Sequence, residues 1–120
     1  MSSTLTIPFT KMHGLGNDFV VINNLDKNII FTPALIQSLS DRHRGIGCDQ
    51  VLILEPAINK NSDFYYRIFN TDGSETGQCG NGARCLAKFI HDEKLSAKNN
   101  ISLQTITTYL ESNYQTAENI

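Results

Sequence analysis

A cysteine lies among glycines in residues 74–85, which read SETGQCGNGARC. Cys79 directly precedes Gly80-Asn81-Gly82, and the apolar pattern that follows predicts a helix over about residues 81–94. A helix N-terminus presents unpaired backbone N–H groups and a partial positive charge, which stabilise both a thiolate and a bound carboxylate. We therefore predict a lowered pKa for the Cys79 thiol. The two glycines would let an anionic ligand approach the backbone closely.

Other chemistries of a reactive cysteine fit this spacing less well. Cys79 and Cys85 are separated by five residues and no C-x-x-C pair occurs, and six helical positions place two backbones ~9 Å apart, which disfavours zinc. A cysteine phosphatase loop has one more residue between its cysteine and arginine than separates Cys79 from Arg84. A papain-like nucleophile needs a histidine partner, and the sequence does not place His13, His43 or His91 beside Cys79.

The elements that would position Cys79 follow from local patterns. Runs of β-branched and aromatic residues predict strands at 19–22, 51–54, 64–69 and 101–105, and residues 107–110 either continue the last strand or pair with it. Thr32-Pro33 is a helix start, with an apolar face of Leu35, Ile36 and Leu39. Residues 14–18 and 43–47 are predicted to be loops.

The helix after Cys79 is apolar around most of its circumference, with a narrow polar stripe of Arg84, Lys88 and His91. Such a helix is buried. We therefore predict an α+β fold in which a curved, mostly antiparallel or mixed sheet wraps around a central helix. The length of 120 residues predicts a single domain over residues 1–120.

The charge, the N-terminal residues and the number of cysteines argue against several classes of protein. The formal net charge is −2 and no basic cluster occurs, so nucleic-acid binding is not expected. The first residues lack an apolar run long enough for a signal peptide or a membrane span, and a cytoplasmic protein without membrane contact is the expectation. Three cysteines, an odd number, are typical of a reducing compartment.

Three segments together resemble one family. They are KMHGLGNDF at 11–19, RGIGCDQ at 44–50, and RIFNTDGSE at 67–75 running into QCGNGAR at 78–84. From about residue 9 to residue 103 the sequence is similar to the N-terminal half of the diaminopimelate epimerase family. The three segments in this order are a highly specific match.

The resemblance implies an isomerase that converts L,L-diaminopimelate to the meso form, on the bacterial route to lysine and peptidoglycan, with neither pyridoxal phosphate nor a metal. Two similar domains each supply one cysteine, and one thiolate removes the α-proton while the other thiol returns a proton to the opposite face. By motif, Cys79 is the catalytic cysteine of this half. Gly80 and Asn81 would bind the α-carboxylate, and the remaining substrate contacts would be Asn17, Gln50 and Asn70.

One motif cysteine is present where this mechanism needs two. Cys85 is predicted to pack in the core, and Cys48 is close in sequence to Gln50. We expect the chain alone to be inactive and to need a second epimerase domain, absent from this chain. An apolar face left uncovered would make the half associate, so a homodimer is a further expectation. The alternatives are another cofactor-independent racemase of this fold, such as a proline racemase-like enzyme, and a non-catalytic split half that binds a ligand or partner domain.

Overall fold

The computed structural model describes residues 7–14, 16–77, 80–98, 100–107 and 109–113. Within them lie seven strands and two helices: β1 (Thr10–Gly14), β2 (Asn17–Asn23), α1 (Pro33–Ser40), β3 (Gln50–Pro56), β4 (Phe64–Asn70), β5 (Glu75–Thr76), α2 (Gly80–Asp92), β6 (Asn100–Gln104) and β7 (Tyr109–Asn113). No helix in these ranges is long and apolar enough to cross a bilayer.

The strands form one mixed sheet in the order β1-β2-β3-β4-β6-β7, and the short β5 pairs with β4. The β2–β3 and β4–β6 pairs are parallel, and the remaining pairs are antiparallel. Parallel neighbours need a crossover connection, and α1 and α2 lie in these two connections. Because α2 lies close to both β1 and β7, the two edge strands approach the same helix. The sheet therefore curves around α2, and the predicted α+β architecture is confirmed.

Strand alternation divides the apolar residues between two clusters, one on each face of the sheet. The cluster beneath α2 includes Phe19, Val21, Leu52, Leu54, Tyr66, Ile68, Leu86 and Ile90. The cluster beneath α1 includes Val20, Ile22, Ile36, Cys48, Val51, Ile53 and Phe69. β2 and β3 are apolar on both sides because a helix covers each face of this part of the sheet.

Most of the predicted elements are present. Thr32 caps α1, since its hydroxyl accepts a hydrogen bond from the Leu35 N–H at 3.1 Å, and Pro33 occupies the first helical position. The prediction of a loop over residues 14–18 was wrong at its ends. Gly14 closes β1 and pairs with Asn17, which opens β2, so the hairpin connection is only two residues long and Gly16 in it has φ +91°. β7 pairs with β6 rather than extending it.

Candidate active site

Asn17, Gln50 and Asn70 lie at one end of the sheet. Asn17 opens β2 and Gln50 opens the parallel strand β3, while Asn70 closes the antiparallel strand β4 and is the direct partner of Gln50. Their positions have the same parity as Phe19, Leu52 and Ile68, which face α2. The three amides predicted from the sequence are therefore on the α2 face.

Two hydrogen bonds connect these amides and bring the start of α2 to them. Gln50 Nε2 donates to Asn70 Oδ1 at 3.1 Å, and Asn81 Nδ2 donates to Asn17 Oδ1 at 3.2 Å. We call Asn17, Gln50, Asn70 and Asn81 the amide site. A side-chain amide has two N–H donors and an oxygen with two lone pairs, so amides of this kind can bond to one another and to a polar ligand at the same time.

α2 begins at Gly80 and continues for 13 residues. Its first-turn N–H groups therefore lie beside the amide site, where they can receive an anionic group. Gln78 and Cys79 lie outside the described residues, so the prediction of a catalytic role for Cys79 is carried by the sequence, in which it directly precedes Gly80.

A tight turn holds Asn70. The Gly73 N–H donates to the Asn70 carbonyl at 3.0 Å, the Asn70 N–H donates to the Ser74 carbonyl at 2.8 Å, and Asn70 Nδ2 donates to Ser74 Oγ at 3.2 Å. Gly73 has φ +92°, and a Cβ at this position would lie 2.8 Å from atoms of Pro33. Only glycine fits the turn without displacing the start of α1.

Residues after β6 hold the segment that leads towards α2. The buried Thr105 hydroxyl donates to the Gly77 carbonyl at 3.0 Å and accepts the Thr107 N–H at 3.3 Å. A Cβ on Gly77 would meet Thr107 Oγ1 at 2.1 Å. Gly77 is thus held by direct contact with the β6–β7 connection.

The other two cysteines are buried away from this surface. Cys48 is 1% exposed, in the cluster beneath α1, and its Sγ lies 3.8 Å from Ser40 Oγ. Burial raises the pKa of the Cys48 thiol. Cys85 is also 1% exposed and packs in the cluster beneath α2, as predicted. Neither sulfur is presented to the amide site as a nucleophile or base.

A cleft of about 540 Å³ opens beside Asn17. Charged residues that the sequence analysis did not assign to the site, Asp18, Arg42 and Asp49, line it together with His13. Asp18 and Asp49 are adjacent to Asn17 and Gln50 in the sequence, which is a signal that the sequence offered, whereas the contacts of Arg42 with Asp18 appear only in the fold. Among the residues that the structure describes, no group of three His, Cys, Asp or Glu side chains is placed to hold a metal ion.

Comparison with known proteins gives one consistent result. The sequence profile of the diaminopimelate epimerase family matches residues 9–119. A curated diaminopimelate epimerase from Aromatoleum aromaticum is 54% identical over 101 residues, which are 84% of this chain and 36% of that protein. The chain thus spans about a third of the length of this relative.

A methylitaconate-delta-isomerase structure matches with a TM-score of 0.69 at 16% identity, over 89% of this chain and 34% of that one. A Bacillus anthracis phenazine biosynthesis protein of the PhzF family matches with a TM-score of 0.62 at 15% identity, over 89% of this chain and 34% of that one. At these identities the two structures establish a shared fold.

Proposed function

Since this chain belongs to the diaminopimelate epimerase family, we propose that it forms one half of an enzyme that inverts L,L-diaminopimelate to the meso form. The observation that carries the proposal is the Asn81–Asn17 hydrogen bond. It places the start of α2 against the polar end of the sheet, where motif residues from three strands and a helix meet.

The amide site suits an amino-acid substrate. The reacting carbon of diaminopimelate carries an ammonium group and a carboxylate, and side-chain amides can accept hydrogen bonds from the first and donate to the second. In this proposal the α-carboxylate binds at the N–H groups of Gly80 and Asn81, with the positive end of the helix dipole. Asn17, Gln50 and Asn70 contact the remaining polar groups of the substrate.

Inversion needs two proton transfers on opposite faces of the α-carbon. The Cys79 thiolate exchanges a proton with one face, and the electron pair left when the C–H bond breaks spreads into the bound carboxylate. Backbone N–H groups aimed at that carboxylate stabilise the charge as it develops. A second thiol, on a second epimerase domain, exchanges a proton with the other face. Each turnover moves one proton from one thiol to the substrate and one from the substrate to the other thiolate, so no cofactor is required.

The remaining parts of the proposal concern the whole protein. The second domain is supplied by further chain or by a separate partner, and a homodimer is the alternative assembly. The protein acts in the cytoplasm on a small-molecule substrate, in lysine and peptidoglycan precursor synthesis. The share of the Aromatoleum aromaticum relative that this chain matches, 36%, supports the need for further residues.

The decisive experiment joins this chain to the remainder of that relative and supplies L,L-diaminopimelate in heavy water. We expect meso product carrying deuterium at the inverted carbon. Cys79→Ala should abolish the product, whereas Cys85→Ala, the matched control within the same segment, should retain activity in the fraction that folds. Full activity of Cys79→Ala, or no turnover by a correctly folded parent protein, would contradict the proposal.

A further inference from the structure

A charged cluster lies next to the amide site at the starts of β2 and β3. Arg42 holds the Asp18 carboxylate with both terminal nitrogens, Nη1 to Oδ2 at 3.0 Å and Nη2 to Oδ1 at 2.9 Å. Lys11 Nζ lies 3.0 Å from Asp18 Oδ2, and the Asp49 N–H donates to Asp18 Oδ1 at 2.8 Å. We call Lys11, Asp18, Arg42 and Asp49 the Asp18 cluster.

The two aspartates of the cluster bind each other's backbone. The Asp18 N–H donates to Asp49 Oδ2 at 2.9 Å, and the Asp49 N–H also reaches the Asp18 carbonyl at 3.0 Å. Arg42 Nη2 bridges to Asp49 Oδ1 at 3.2 Å. These bonds close the parallel β2–β3 pair at its first rung, where Phe19 lies opposite Gln50. The cluster therefore fixes how the two strands begin relative to each other.

Each aspartate is the chain neighbour of a residue of the amide site. Asp18 follows Asn17, and Asp49 precedes Gln50. Asp18 has the parity of Val20 and Ile22, which face α1, so its carboxylate lies on the opposite side of the strand from the Asn17 amide. The Asp18 side chain therefore contacts the start of β3 on the α1 side of the sheet, while the Asn17 amide lies on the α2 side.

Charge and hydrogen bonding indicate a structural role for the Asp18 carboxylate rather than the role of a base. Two carboxylates meet two cations, so the cluster is close to neutral. Both Asp18 oxygens accept hydrogen bonds, and the side chain is 15% exposed. The Arg42 guanidinium, with Lys11 and the Asp49 N–H, holds the pKa of Asp18 well below its usual range, so the carboxylate is ionised at neutral pH.

We propose that Asp18 is a positioning residue, which sets the places of Asn17 and Gln50 through its bonds to Arg42, Lys11 and Asp49. The inference rests on the proposed function for the identity of the ligand, since it deepens the account of the same site. Loss of the Asp18 charge leaves one unbalanced positive charge in the cluster and removes the ionic contacts of Arg42 and Lys11 at the start of β2, while the bonds between the backbone of residue 18 and Asp49 remain.

The test compares Asp18→Asn with Asp63→Asn. Asp63 is a matched control at the opposite end of the sheet, because it too accepts a lysine (Lys98, 2.8 Å) and a facing backbone N–H (Ser102, 2.8 Å) and is 22% exposed. In ¹⁵N spectra of the chain, Asp18→Asn should shift the side-chain amide signals of Asn17 and Gln50. Asp63→Asn should leave both signals in place. Unmoved signals in a folded Asp18→Asn protein would overturn the inference.

Kinetics provide a second readout in the joined protein described above. Groups that contact the substrate equally in the ground and transition states act on KM, so Asp18→Asn should raise KM about tenfold and change kcat by less than about threefold. Asp63→Asn should change neither. An equal effect of the two variants, or a loss confined to kcat, would show a general structural role instead and would reject positioning.

A second variant covers the case in which Asp18→Asn does not fold, and the spectra separate this inference from the proposed function. If Asp18→Asn does not fold, Arg42→Gln removes the same guanidinium contacts from a side chain that is 55% exposed, and the same amide signals should move. If the joined parent protein shows no epimerase activity, the proposed function fails. The spectra of the chain still decide whether Asp18 positions Asn17 and Gln50.

Discussion

The Thr105 hydroxyl should contribute more to stability than its size suggests. It is 2% exposed and joins the β6–β7 connection to the segment before α2, with a bond to the Gly77 carbonyl at 3.0 Å and one from the Thr107 N–H at 3.3 Å. Thr105→Val keeps the shape and removes both bonds. A hydrogen bond contributes ~1 kcal/mol and an unsatisfied buried partner costs ~1–3 kcal/mol, so the folded chain should lose about 2–3 kcal/mol.

Urea unfolding of the chain, followed by circular dichroism, measures this loss. With an m-value of ~1–3 kcal/mol per molar urea for a small domain, the midpoint should fall by about 0.7–3 M at unchanged m. Thr105→Ser is the matched control, because it keeps the hydroxyl and removes one methyl group, at a cost of ~0.8 kcal/mol. If the valine variant is as stable as the serine variant, the hydroxyl does not hold the Gly77 segment and the reasoning fails.

Three further predictions concern the turn, the charged cluster and the thiols. Gly73→Ala should destabilise the chain by about 1–3 kcal/mol in the same assay, because φ is +92° and the new Cβ would overlap α1; an unchanged midpoint would contradict this. Arg42 lowers the pKa of Asp18, so the contribution of the ionised carboxylate is present above the unfolded pKa of ~3.9 and is lost as pH falls through the lower folded pKa. The stability difference between the parent chain and Asp18→Asn should therefore be larger at neutral pH than in strong acid, and an equal difference at both would contradict the pairing. Iodoacetamide should modify Cys79 faster than the buried Cys85 in the folded chain, measured by mass spectrometry of tryptic peptides; equal rates would count against an activated thiolate.

Local sequence patterns predicted the helices and strands that are marked by a run of apolar residues or by their own capping residues. The run 51–54 is apolar on both faces, and Thr32-Pro33 carries its cap within the chain, so both were recognisable without tertiary information. β1 was not recognised. It is an edge strand whose residues are mostly exposed or half-buried, so it lacks the apolar alternation that marks a strand covered by a helix.

The amide site was predicted from motif resemblance, and the structure explains why its members converge. Asn17 and Gln50 start parallel strands, and Asn70 ends the strand between Gln50 and the tight turn. The Asp18 cluster was missed because its contacts join residues 11, 18, 42 and 49, and single charged residues resemble ordinary surface residues until the fold brings them together.

Cys48 is close to Gln50 in the sequence but not beside its side chain in the fold. It lies two positions before Gln50, yet β3 begins only at Gln50 and the chain bends at Asp49, so strand alternation does not extend to Cys48 and its sulfur packs beneath α1.

The positions of the Cys48 and Cys85 sulfurs limit how the proposed inversion can occur. A single thiolate that removes a proton can return it only to the same face of the α-carbon, which exchanges hydrogen without inverting the centre. Cys48 is separated from the amide site by the sheet, and Cys85 is buried beneath α2, so neither can reach the opposite face of a substrate bound at the start of α2. In the proposed mechanism the second proton donor must therefore approach from the side of the amide site that faces away from this domain. A second domain of the same family, closing over that side with its own thiol, satisfies this requirement.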